Sequence, residues 1–159
     1  MNSSAIGDEP MPEYSLDSSA LLKRYQEEIG SDWATELVAS SDRLVVARLT
    51  HVEVTSAIVR RSRRPGNSSQ GASEALATLD REMAEVFEVI EMEESVIARA
   101  NDLARRHALR AADAVQLACA ILADHRLPDS GYCLVSADNE LNAAAQSEGL
   151  RVENPNLHP

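Results

Sequence analysis

A chain of 159 residues, 44% apolar and 26% charged, has enough material for one globular domain and does not call for a second. Its formal charge of -11 argues against coating nucleic acid through a broad basic surface, because that mode of binding depends on neutralising phosphates. Aromatic residues at 3% leave no stacking platform for single-stranded bases, and the absence of any long apolar run or charged-then-apolar leader points to a cytoplasmic chain without a membrane span.

Residues 1–12 are polar, contain two prolines and lack periodicity, so a flexible leader is expected there, with Met11 as an alternative start. The domain is expected over 13–153 and a short tail over 154–159. Glu13 to Leu16 reads as a short strand, followed by Asp17-Ser18-Ser19 as the start of a helix with Leu21, Leu22, Tyr25 and Ile29 at helical spacing. After Gly30-Ser31 a second helix is expected from Asp32 through Trp33, Leu37 and Val38, and Leu44 to Ala47 is a buried strand. Thr50-His51-Val52-Glu53 fits a capping box, which predicts a helix through Val54, Ala57, Ile58 and Val59 that ends among Arg60, Arg61, Arg63 and Arg64. Pro65 to Gly71 is a loop. Leu76, Leu79, Met83 and Val86 mark the next helix, Val86 to Ile90 a strand, and Val96, Ile97, Ala100, Leu103 and Ala104 an amphipathic helix.

The most informative stretch is Leu109 to Leu127. Ala114, Val115, Leu117, Ala118, Cys119, Ala120, Ile121, Leu122 and Ala123 cover every face of its helix, which is therefore expected in the core. Asp113 is the one carboxylate at its start, where unpaired N–H groups and the positive end of the macrodipole favour an anion. Beyond it, Tyr132 to Val135 is a strand, Ser136 to Asn139 a turn, Leu141, Ala144 and Ala145 a helix that Gly149 ends, and Leu150 to Val152 an edge strand. Cys119 and Cys133 lack metal-ligand spacing and read as small core residues of a reducing compartment. Alternating strands and helices give an α/β fold, a three-layer α/β/α sandwich around a mostly parallel sheet.

In such a sheet the strand ends and the starts of the following helices share one edge, where ligands bind. Asp17 ends the first strand, Glu53 follows the second, Asp113 starts the apolar helix, and Asp138 follows the strand at Tyr132 to Val135. Four carboxylates meeting there would raise one another's pKa values unless a cation neutralised them. All-oxygen ligands suit Mg²⁺ or Mn²⁺ and disfavour zinc, and such ions support phosphodiester cleavage. Each acid also has a purely structural reading as a cap, a capping-box partner or a turn residue. It is their common edge that favours chemistry, whereas Glu82, Glu85, Glu93 and Glu94 are expected on solvated faces.

The ordered set Leu16-Asp17-Ser18-Ser19, His51-Val52-Glu53-Val54, Leu109-Arg110-Ala111-Ala112-Asp113-Ala114 with Gln116-Leu117-Ala118, and Val135-Ser136-Ala137-Asp138 resembles the PIN domain, and within it the VapC-type toxin ribonucleases of type II toxin–antitoxin pairs. The resemblance spans roughly Tyr14 to Glu153. It implies a PIN-like sandwich and an endoribonuclease in which Asp17, Glu53, Asp113 and Asp138 hold Mg²⁺ or Mn²⁺ and are catalytic, with Ser136 hydrogen-bonded to an acid of the cluster. It also implies an RNA substrate, a homodimer and a cognate antitoxin that covers the site with basic side chains. Arg60 and Arg64 stand one to three turns past Glu53 and are candidates for RNA phosphate contacts, against the plainer reading of a solvated helix end. His51 is weighed as a proton carrier against a surface histidine. The rivals are a phospho-aspartate domain, disfavoured because the only lysine is Lys23 in the first helix, a PIN-like binding module without nuclease activity, and a fold in which every acid is a cap.

Overall fold

The computed structural model describes residues 13–126 and 132–159; the leader expected at 1–12 and the end of the apolar stretch at Leu127 lie outside them. Five parallel strands form one sheet in the order β3-β2-β1-β4-β5, namely β1 (Tyr14–Leu16), β2 (Leu44–Ala47), β3 (Glu88–Ile90), β4 (Cys133–Val135) and β5 (Arg151–Glu153). The sheet is wholly parallel among the described residues. Leu16 pairs with Val46 on one side and Val135 on the other, so β1 is central and the chain reverses its direction of travel beside it. That reversal opens a crevice at the strands' C-terminal ends, between β1 and β4.

Strict alternation of side chains builds the three layers. Val45, Ala47, Ile90 and Leu134 face α5 (Glu94–His107), α6 (Ala111–Arg126) and α7 (Asn139–Ser147). Leu16, Leu44, Val46 and Val135 face α1 (Ser18–Leu21), α2 (Ser31–Ser40), α3 (Arg48–Ser62) and α4 (Ser69–Glu85). Helix α6 is buried from Ala114 to Ile121, and its alanines let Leu117, with no exposure, sit directly against the sheet. Truncating Leu117 to alanine in so closed a site costs about 2 to 5 kcal/mol. Cys119 and Cys133 are free and buried, as expected of core residues. Among the described residues no helix is long and apolar enough to cross a membrane.

Several local expectations give way to tertiary contacts. The first helix does not reach Ile29: α1 passes into a 3-10 turn at Leu22–Arg24, and the buried Lys23 Nζ donates to the Ile29 carbonyl at 2.7 Å, folding the chain back so that Ile29 is exposed. Helix α3 begins at Arg48 rather than at a Thr50 cap, so the capping box does not form. The fully buried Thr50 hydroxyl instead donates to Gln116 Oε1 at 3.1 Å, and Glu53 falls in the helix's second turn. Glu82 is not solvated. It is buried, accepting from Arg24 Nη2 at 2.9 Å and Tyr25 Oη at 2.6 Å, which pins the turn after α1 to α4. Beyond β5, Pro155 is buried against Gly30, where a Cβ would lie 2.2 Å from the Pro155 carbonyl oxygen, and the His158 ring stacks on Trp33 at 4.4 Å.

Candidate active site

At the C-terminal edge each of the four carboxylates comes from a different element. Asp17 directly follows β1, its backbone N–H donating to the Val135 carbonyl of β4 at 3.0 Å. It holds the N-cap position of α1, yet its side chain caps nothing. Instead Oδ2 accepts from Ser19 Oγ at 2.5 Å and from Ser136 Oγ at 2.8 Å. The two serines are themselves locked, since Ser19 Oγ accepts from the Ala137 N–H at 2.9 Å and Ser136 Oγ from the Asp138 N–H at 3.0 Å. Asn142 Nδ2 fixes the same turn by donating to the Ser136 carbonyl at 2.9 Å. Asp17 is 4% exposed, and burial pushes its carboxyl above the usual range; the two hydroxyls oppose that, while the charges of Glu53 and Asp113 add to it.

Glu53 reaches the edge from α3. Its Oε2 accepts from Ser18 Oγ and, at 2.8 Å, from Gln116 Nε2 of α6. The Gln116 amide also lies 2.8 Å from Ser18 Oγ and 2.9 Å from Thr50 Oγ1, so one buried side chain ties α1, α3 and α6 to a single carboxylate. Asp113 stands in the first turn of α6 and accepts from Arg110 Nε at 2.9 Å. Burial raises its carboxyl first, Arg110 opposes that, and Asp138 and Glu53 raise it further. Asp138 does cap its helix, Oδ1 accepting from the N–H groups of Glu140 and Leu141 at 2.9 and 3.0 Å, while Oδ2 accepts from Arg110 Nη2 at 3.0 Å. The structural reading therefore holds for half of Asp138 and fails for Asp17 and Glu53.

These mutual repulsions link all four acids, Asp17 with Glu53 and Asp113, and Asp113 with Asp138 and Glu53. Only Arg110 among the described cations forms an ion pair with any of them. Among the described residues no three carboxylate, imidazole or thiolate groups are close enough to grip an ion as they stand, each acid being taken up by Arg110 or by the Ser18, Ser19, Gln116 and Ser136 hydrogen bonds. The donor set still suits a hard divalent cation: oxygen only, rich in carboxylates, and one of them, Asp17, buried with no described cation beside it.

The other predicted residues lie further out. Arg60 is seven positions along α3 from Glu53, on the same helical face and about 10 Å along the axis. Together with Arg64, Arg61 and Gln26 it lines a cleft of about 400 Å³ that none of the four acids reaches. His51 Nε2 lies 2.7 Å from Oδ1 of Asp80 in α4, and no described hydrogen bond joins it to any of the four acids. Ser18, Ser19 and Gln116 stand in the motif set and Thr50 in the capping-box pattern, but none of them carries a site role in the sequence, and Asn142 stands in no motif; an amide inside an otherwise apolar run is the signal at Gln116.

Comparisons with known proteins agree with this architecture. The PIN domain family model matches residues 14–146. Ribonuclease VapC45 of Mycobacterium tuberculosis is 34% identical over 152 residues, covering 94% of this chain and all of that protein. Among solved structures, PAE2754 from Pyrobaculum aerophilum superposes with a TM-score of 0.62 at 19% identity, covering 99% of this chain and 94% of the other. A toxin–antitoxin complex from Klebsiella pneumoniae superposes with a TM-score of 0.59 at 20% identity, covering 90% and 98%. This chain belongs to the PIN domain family, in its VapC-type branch.

Proposed function

We propose that this chain is a metal-dependent endoribonuclease, the toxin of a type II toxin–antitoxin pair. The observation that carries the reading is the set of four carboxylates, brought by four elements to the C-terminal edge of the sheet and left mutually repelling, with Asp17 buried beneath them. In this reading Asp17, Glu53, Asp113 and Asp138 hold Mg²⁺ or Mn²⁺. Such an ion, when bound, lowers the pKa of a coordinated water and neutralises charge on a phosphodiester.

The chain's own residues prepare that chemistry. Ser19 and Ser136 fix one oxygen of Asp17, and no hydrogen bond among the described residues takes up the other, which is the one proposed to coordinate. Gln116 and Ser18 fix one oxygen of Glu53 in the same way. Arg60 and Arg64 are proposed to take RNA phosphates along the cleft that they line with Arg61 and Gln26. An acidic edge suits a basic inhibitory segment, which supports a cognate antitoxin by charge complementarity, and a cytoplasmic homodimer is part of the same proposal.

The test is cleavage of total and transfer RNA by the purified chain with Mg²⁺, Mn²⁺ or EDTA, beside an Asp113→Asn variant. Cleavage that needs the metal and is lost in the variant is the expected result. Cleavage that persists in EDTA would overturn the metal reading. Metal binding without cleavage of any RNA tried would favour a PIN-like binding module.

A further inference from the structure

Arg110 stands apart from the other cations of the molecule. Among the described residues it makes the only ion pairs with the four acids, Nε to Asp113 and Nη2 to Asp138 through one planar fork, yet its side chain is 72% exposed. Its backbone is held while its head is free. Ala108, at φ 52 and ψ 34, closes α5 in the left-handed region; Leu109 is buried; and the Arg110 carbonyl accepts the first α6 hydrogen bond from the Ala114 N–H at 3.0 Å. The guanidinium is thus delivered to the carboxylates by a fixed turn, with its side chain largely open to solvent.

A cation in that place has one electrostatic consequence. It supplies part of the positive charge that the cluster lacks, and it occupies the same Oδ2 lone pairs of Asp113 and Asp138 that a coordinated ion would use. We propose that Arg110 is the built-in counter-ion of this edge: it keeps Asp113 and Asp138 apart from any metal in the ion-free chain and must swing out for a divalent cation to enter. Arg110 then sets the concentration at which the metal is taken up, so the site loads only where the ion outcompetes it. This inference rests on the metal reading of the four acids proposed above.

The experiment is Mn²⁺ titration of the EDTA-stripped full chain by calorimetry, comparing wild type with Arg110→Ala and with Arg105→Ala. Arg105 is a suitable control because it removes the same charge from an exposed pair with Asp102, away from the four acids. Arg110→Ala is expected to bind Mn²⁺ about tenfold more tightly, the size appropriate to two solvent-exposed ion pairs that need no longer be broken. Arg105→Ala should match wild type. Tightening is opposite in sign to what damage to the turn would cause. Equal or weaker binding by Arg110→Ala overturns the counter-ion role while leaving the metal site intact, and so does equal tightening by Arg105→Ala, which would reduce the effect to net charge. No binding by wild type or by either variant removes the metal reading itself and this inference with it.

Discussion

The two ends of the same sheet handle charge in opposite ways. At the N-terminal edge Arg43 precedes β2 and binds across it, with Nη1 2.6 Å from Glu13 before β1, and Nε and Nη2 at 2.8 and 3.0 Å from the two oxygens of Glu88 in β3. One partly buried guanidinium thereby satisfies two carboxylates and ties three strands together, and the hydrogen bonds to Glu88 hold Arg43 firmly protonated. At the C-terminal edge only two of the four carboxylates, Asp113 and Asp138, share one exposed arginine among the described residues, and the most buried acid, Asp17, accepts from the neutral hydroxyls of Ser19 and Ser136. The first edge balances its charges within the ion-free fold, whereas the second leaves the burial of Asp17 without a cationic partner among the described residues.

Removing charge should therefore act with opposite signs at the two edges. The largest effect is expected from Asp17→Asn. It keeps an oxygen to accept from Ser19 and Ser136, so the fold should survive, while cleavage should fall by roughly a thousandfold or more, as is typical when a group acting on the reacting centre is removed. In EDTA the same variant should be more stable than wild type by about 1 kcal/mol, since a buried charge has been removed. The sign with pH follows from the raised carboxyl of Asp17. Between its unfolded value of about 4 and its higher folded value the native state binds more protons, so this penalty is full above the folded value and fades as the pH falls through it. Chemical denaturation of both proteins across that range should show the advantage of Asp17→Asn shrinking towards zero near pH ~4. A constant advantage would mean that shape rather than charge sets it. A smaller effect is expected from Arg43→Ala, which should destabilise the chain by about 1 to 2 kcal/mol and leave metal-dependent cleavage at the wild-type rate. Loss of cleavage without loss of stability in that variant would break the contrast between the edges.

How much of this was legible in the sequence depends on the range of the interactions. Strand–helix alternation, the buried helix around Leu117, Asp17 and Asp138 beside strand ends and Asp113 in the first turn of its helix could be read locally, because each rests on periodicity or on neighbouring residues. Glu53 reaches the edge from the second turn of α3, not as the third residue of a cap at Thr50. The Thr50 hydroxyl that looks like a cap bonds to Gln116, 66 residues away, and nothing in the four-residue pattern distinguishes the two outcomes. Lys23 ending the first helix at the Ile29 carbonyl, and Glu82 buried by Arg24 and Tyr25, are likewise contacts that exist only once the chain has folded. The same holds for Ser19, which reaches across to Ala137, and for Arg110, whose fork joins α6 to α7. Residue type at strand ends and helix starts reveals Asp17, Asp113 and Asp138, but the partners of all four acids are a tertiary property.

The most direct test of the account is anomalous diffraction from crystals of the chain soaked in Mn²⁺. The account predicts a peak at the C-terminal edge, within about 2 Å of carboxylate oxygens of Asp17 and Asp113, with Arg110 withdrawn from Asp113. A chain active as a metal-dependent nuclease whose only peak lay elsewhere, or whose edge remained closed by Arg110 at saturating metal, would contradict it.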